Sequence, residues 1–262
     1  MSEYRSRRRE YLTSHQLADF RKCPKLFYLK RSGLVGDADS REYFIGRAVH
    51  TLTLEGQAAF DAEYCVGGPI NPKTGKVYGS DTQKFAEWAA EQRKPVITDS
   101  QYGLACRINA AVKSHDEAAE LLASGQAEAV VRDKFFETKA QIRIDWYADR
   151  LNTIVDLKTC FDLDQFAADA KKYGYGHQLA FYRRVFLSRS GYSDWPEVKI
   201  IAVEKCEPFR VGVFRLRNLE FCDWDNQRAV LELQQCEKFS SWPTRYEGER
   251  DLSFAEDDYG LE

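Results

Sequence analysis

The stretch from Ala127 to Phe161 constrains the fold most. AEAVVRDKFF, KAQIRIDWYA and NTIVDLKTCF are rich in β-branched and aromatic residues, with short polar turns between them, among them ADRLN at 148–152. Such runs favour strands, and turns this short join antiparallel neighbours. Three sequential strands in an antiparallel meander are expected.

Before the meander the apolar spacing is helical. A helix-start signal stands at Thr13 or Ser14, and Leu17, Ala18 and Phe20 follow through SHQLADFRKCPKLFYLKR, with Pro24 breaking the run. REYFIGRAVHTLTLEGQAAF at 41–60 reads as one helix entered through Gly46, and the Gly- and Pro-rich 61–80, centred on GGPINPKTGKVYG, as a long loop. Helices are expected at 81–93 and 100–123, with Gly125 as the stop. After the meander come a helix at 162–190 interrupted at YGYG (173–176), strands at VKIIAVEKC and RVGVFRLR, and a helix at 220–239. The fold class is therefore α/β (α+β), a central mixed β-sheet flanked by helices. One domain is expected over 1–262: a mainly helical part at 1–125, a core at 126–240 and an acidic, irregular tail at 241–262. No internal repeat or low-complexity segment interrupts it.

With 44% hydrophobic and 30% charged residues, a mainly disordered chain is excluded. No run approaches the ~18 apolar residues of a membrane span, and MSEYRSRRREYL lacks the apolar core of a secretory signal, so no membrane partner and a cytoplasmic location are expected. The seven cysteines are odd in number and form no CxxC pair, which favours reduced thiols. Lys and Arg total 38 against 41 acids, so the net charge of −3 does not announce a nucleic-acid binder. A local basic patch is what matters, and Lys22, Lys25, Lys30 and Arg31 are the candidates for DNA binding, against the alternative of a solvated helix face.

The polar residues that stand out lie in the meander. Glu128 opens its first strand, Asp145 lies near the end of the second, and Asp156 and Lys158 sit on the third in IVDLKT. Alternation turns Asp156 and Lys158 to one face and Val155 and Leu157 to the other. Burying an acid and an amine unpaired is costly, so they pair with each other or bind something. A lone D-x-K triplet carries no weight. Here it lies in a β-branched strand, with Asp145 before it and, on the following helix, Gln178 and Tyr182 four apart on one face.

GRAVH at 46–50, RID at 143–145, DLK at 156–158 and QLAFY at 178–182 resemble, in order and spacing, the PD-(D/E)xK nuclease superfamily, most of all its RecE-like and RecB-like exonuclease branch. The resemblance runs from about residue 10 to 245 and extends to the N-terminal SHQLADFRKCPKLFYLKR and to IIAVEKCEPFRVGVFRL. The proline of the PD pair is Ile144 here, a position that varies in the superfamily. The resemblance implies a restriction-endonuclease-like core. Asp145 and Asp156 would be metal-binding carboxylates, Glu128 a further acid serving metal or water, and Lys158 the motif lysine. Gln178 and Tyr182 would steady that lysine and the DNA backbone, and His50 would stand beside the metal or scissile phosphate. Hard carboxylate ligands imply Mg²⁺ or Mn²⁺.

The resemblance further implies a Mg²⁺-dependent exonuclease of phage or prophage origin. It would act on double-stranded DNA ends, 5′ to 3′, leaving single strands for a recombinase or single-strand annealing protein, and would form a homo-oligomeric ring. Another nuclease of the same core, such as an endonuclease or a CRISPR-adaptation type, or a non-cleaving DNA-binding phage protein, is the alternative. An iron–sulfur cluster is not expected, because Cys206, Cys222 and Cys236 are widely spaced although Cys23 sits at a tempting position.

Overall fold

The structure is a computed structural model that describes residues 4, 7–36, 41–190 and 195–251. Helix α1 (Ser14–Lys22) begins at a capping box: Thr13 accepts from the Gln16 N–H, and the Gln16 side chain accepts from the Thr13 N–H. Pro24 ends that run and opens α2 (Pro24–Arg31), where a missing N–H costs nothing. Cys23 Sγ caps α2 by accepting from Leu26 N at 3.4 Å.

Helix α3 (Arg41–His50) does not continue to residue 60 as its pattern predicts. It passes into a π turn over Thr51–Glu55, breaks at Gly56 with φ +89°, and restarts as α4 (Gln57–Glu63). Glycine adopts that φ without steric cost, and the apolar spacing on either side gives no hint of the break. The segment expected as a loop holds β1 (Cys65–Val66). After α5 (Gln83–Glu91) comes β2 (Val96–Ile97), which pairs with β1 in parallel. The helix expected at 100–123 is two, α6 (Asp99–Ser114) and α7 (Asp116–Leu122), because His115 turns the chain and its Nδ1 accepts from Ala118 N at 3.3 Å. Gly125 is not the helix stop. A Cβ there would lie 2.3 Å from the Tyr147 carbonyl oxygen, so only glycine fits where the chain enters the sheet.

The meander forms as expected, from β3 (Gln126–Phe135), β4 (Thr138–Ala148) and β5 (Thr153–Cys160). Helices α8 (Phe166–Lys172) and α9 (Tyr175–Ser190) follow, broken at Tyr173–Gly174 inside the expected interruption. Strand β6 (Glu197–Glu204) lies parallel to β5, and β7 (Val211–Arg215) antiparallel to β6. Helix α10 (Glu220–Phe239) closes the order. The sheet is mixed, five-stranded and ordered β3-β4-β5-β6-β7, so β5 is central.

Each face of the sheet has its own core. On one, Phe20 of α1, Phe181 of α9 and Val230 of α10 pack with Ile142, Ile144 and Ile200. On the other, Val49 of α3, Ile108 of α6 and Leu121 of α7 pack with Val155, Leu157 and Ile201. Covering both faces makes β5 apolar on both sides, at about 1.5–3 kcal/mol per buried large side chain. After α10, Trp242 stacks on Tyr28 at 5.0 Å and ties that segment to α2. Residues 252–262 of the expected acidic tail lie outside the described residues.

Candidate active site

The site lies where the sheet splits. Pairing of β3 with β4 runs Gln126–Tyr147 and Ala127–Trp146, then resumes at Ala129–Ile144, passing over Glu128 and Asp145. Glu128 holds φ at +52°, a conformation that costs a side chain about 1–3 kcal/mol and is kept only where its surroundings enforce it. The strands change face across that step: Ala129 and Ile144 join one core, Ala127 and Trp146 the other. Pairing of β4 with β5 stops at Trp146–Val155. Beyond it Asp145 Oδ2 accepts from Leu157 N at 3.0 Å, so a carboxylate replaces the next ladder bond.

His50, at the C-terminal end of α3, enters this gap with Nδ1 3.4 Å from Asp145 Oδ2. One ligand atom from each of His50, Glu128 and Asp145 lies within 4.8 Å of the other two, the one such group of three found among the described residues. Arg143 Nε stands 2.8 Å from Glu128 Oε2. Burial pushes the Glu128 carboxyl up to about 7, Arg143 pulls it back, and Asp145 pushes it further up. Burial without enough positive charge is the setting a cation relieves. One imidazole nitrogen and two carboxylates form a donor set that fits a divalent ion.

Asp156 and Lys158 share a face of β5, as alternation predicts, and form an ion pair. Asp156 is 1% exposed and stands outside the three-ligand group, and its Oδ1 has no hydrogen-bond partner. Burial pushes its carboxyl up to about 6, against the pull of Lys158 and with a further push from Asp145. Burial draws the Lys158 ammonium the other way, but Asp156 and Asp145 outweigh it and hold the lysine protonated. Lys158 thus stands as an ammonium beside Asp156 and Asp145. Its Nζ lies 5.0 Å from the Tyr175 ring centroid.

These groups open into a cavity of about 600 Å³ that His50, Glu128, Asp145, Lys158, Gln178 and Tyr182 all line. Gln178 Nε2 donates to the Tyr182 hydroxyl at 3.4 Å, and burial drives that phenol far up. Six of the seven predicted catalytic or metal-site residues therefore face one space, and Asp156 lies beneath it, touching it through Lys158.

The chain matches, over residues 13–250, the family described as a PDDEXK-like domain of unknown function (DUF3799). It belongs to this family. No curated protein matches it. Among solved structures it resembles one from Eubacterium rectale named a "Putative exonuclease", with a TM-score of 0.67 and 15% identity, covering 97% of this chain and 94% of that one. At that identity the likeness concerns the fold. A phage related exonuclease from Haemophilus somnus 129PT is 14% identical over 87% of this chain and 96% of its own, with a TM-score of 0.38, too loose to bear on the fold.

In this PDDEXK-like domain the expected basic patch does not line the cavity itself. Lys22 and Lys25 do not line it, and Lys30 and Arg31 line a smaller cavity of about 310 Å³, which shares Arg8, Thr13 and His15 with the main one. Lys30 Nζ pairs with Asp19 at 2.9 Å, and Arg31 Nη1 with Glu237 at 3.7 Å. Besides Lys158, the arginines and lysines on the main cavity are Arg8, Arg21, Arg47, Arg143 and Lys205. Arg47 lies inside the GRAVH motif, a signal that could have nominated it. Arg21 and Lys205 lie in the two flanking stretches that share the resemblance, but only the packing of α1 and of the end of β6 shows that they reach the cavity.

Proposed function

We propose that this PDDEXK-like chain is a metal-dependent deoxyribonuclease, an exonuclease acting 5′ to 3′ from double-stranded DNA ends. What carries this reading is the convergence of His50, Glu128 and Asp145 beside the Lys158 ammonium in one cation-lined cavity. His50, Glu128 and Asp145 would hold the ion. When bound, a divalent ion polarises the scissile phosphate and lowers the pKa of its water. Lys158, kept charged by Asp156, neutralises phosphate charge and orients the attacking water. Tyr182 and Gln178 limit how the phosphate sits. Arg8 and Arg47 draw the polyanion in.

The product would be single-stranded DNA, passed to a recombinase or single-strand annealing protein. A homo-oligomeric ring would retain the strand by topology, which suits a chain of net charge −3. Sedimentation with and without DNA tests the ring, and a monomer in both removes it.

The direct test uses linear duplexes labelled at one end or the other. Expected are loss of the 5′ label as mononucleotides with Mn²⁺ or Mg²⁺, and intact DNA in EDTA. Cleavage undiminished by EDTA, or release of internal fragments, sinks this function.

A further inference from the structure

Phe161 and Tyr173 line the same cavity as Lys158 and are 68% and 61% exposed. A single exposed aromatic is ordinary. Here two share one polar cavity, and each has a lysine at its ring: Lys205 Nζ is 3.8 Å from the Phe161 centroid, and Lys172 Nζ 5.6 Å from that of Tyr173. Their backbones are pinned. Phe161 follows the last residue of β5, where Lys205 N donates to Cys160 O at 2.9 Å and the Cys206 thiol to Phe161 O at 3.6 Å. Tyr173 closes α8, its N–H donating to Asp169 O at 2.8 Å, and Gly174, at φ +70°, turns the chain sharply into α9. Tyr175 links Tyr173 to the lysine, 6.0 Å from the Tyr173 ring and 5.0 Å from Lys158 Nζ.

Rings held open on a rigid frame, with ammonium groups beside them, match a ligand of flat faces strung on an anionic chain. Base–aromatic stacking is sequence-tolerant because every base has a π face. Bases inside a duplex are already covered on both faces, so such a ring takes an unpaired base, or at most the outer face of a terminal pair. We propose that Phe161 and Tyr173 form a stacking platform for unpaired nucleobases of the strand whose phosphate reaches Lys158, with Lys205 and Lys172 meeting the flanking phosphates. The ligand is thereby a single-stranded or frayed end. The inference rests on the nuclease reading for the identity of that ligand as nucleic acid.

The test uses the full chain in EDTA, a single-stranded oligonucleotide carrying 2-aminopurine, and a blunt duplex with the same base inside. Binding of wild type should quench the single-stranded probe and leave the duplex probe little changed. Phe161→Ala and Tyr173→Ala should each weaken single-strand binding by about fivefold or more, and together abolish the quench. Phe161→Trp and Tyr173→Trp should restore both, with unfolding midpoints unchanged throughout. An unquenched probe with wild type, or unaltered affinity and quench in the double alanine variant, overturns the platform. Cleavage of a linear duplex by wild type with Mn²⁺, followed separately, keeps the two ideas apart. Quenching without cleavage refutes the nuclease and leaves the platform standing, and cleavage without quenching refutes the platform alone.

Discussion

Asp145 and Asp156 both sit at the split in the sheet, yet they answer to different forces. Asp145 accepts a backbone N–H and faces His50, whereas Asp156 is sealed beneath Lys158. Asp145→Asn keeps an oxygen for Leu157 N and removes a repelling charge, so stability should hold within about 1 kcal/mol while cleavage falls on the order of 10²-fold or more. Lys158→Ala strips Asp156 of its partner and should cost on the order of 1–3 kcal/mol, a loss that shrinks as pH falls, because the carboxyl that Lys158 no longer holds down takes a proton more readily. Denaturant unfolding of both variants alongside cleavage rates checks this; a Lys158→Ala protein as stable as wild type at pH 8 contradicts the buried pair. Glu128 adds a pH signature. Its folded pKa, about 7, lies above the ordinary 4.5, so between those values the folded chain holds a proton that the unfolded chain releases. Stability should therefore fall as pH rises through that window, by on the order of 1–3 kcal/mol. Glu128→Gln in EDTA should flatten that slope, as read from unfolding midpoints at pH 5 and 7.5, and an unaltered slope counts against a buried, under-compensated Glu128.

At the scale of elements, the end of β6 is clamped to the segment leading into α8. Arg210 donates to both Glu204 oxygens at 3.0 and 2.7 Å, and Leu163 N donates to Glu204 Oε1 at 3.0 Å. Those bonds hold the Glu204 carboxyl down at about 2. A depressed acid contributes its stability above the unfolded value near 4.5, and the contribution is lost as pH falls toward 2. Glu204→Gln should therefore lower the unfolding midpoint at pH 6 and narrow its gap to wild type by pH 3. The clamp also fixes the chain that carries Lys205 to the cavity. Thermal scans across pH 3–6 decide it: a gap that widens on acidification means the clamp does not titrate this way.

For the whole molecule, a net charge of −3 coexists with a cavity bordered by Arg8, Arg21 and Arg47. DNA affinity should fall steeply with salt, since each phosphate neutralised releases counterions. Arg8→Ala and Arg47→Ala should each lower the salt slope by about 1, whereas Lys22→Ala and Lys25→Ala should leave it unchanged. Titrations at four or more salt concentrations would discriminate: a slope that responds only to Lys22 and Lys25 restores the helix-face patch as the DNA surface.

The local pattern of β-branched runs and short turns determined the meander and the common face of Asp156 and Lys158, because strand alternation is a property of neighbouring residues. The motif order likewise nominated His50, Asp145, Gln178 and Tyr182, and the resemblance added Glu128 at the start of the first strand; all five border one cavity. Three features needed the tertiary structure. The π turn and the break at Gly56 set where α3 ends and hence where His50 points, and apolar spacing runs through that break without a mark. The left-handed Glu128 and the parting of β4 from β5 put three ligand atoms together and leave Asp156 outside, a consequence of pairing between strands. Which cations face the cavity was decided by packing of α1 and α3 against the sheet. Charge density along a chain marks where lysines and arginines are many, whereas the fold determines which of them meet a common space.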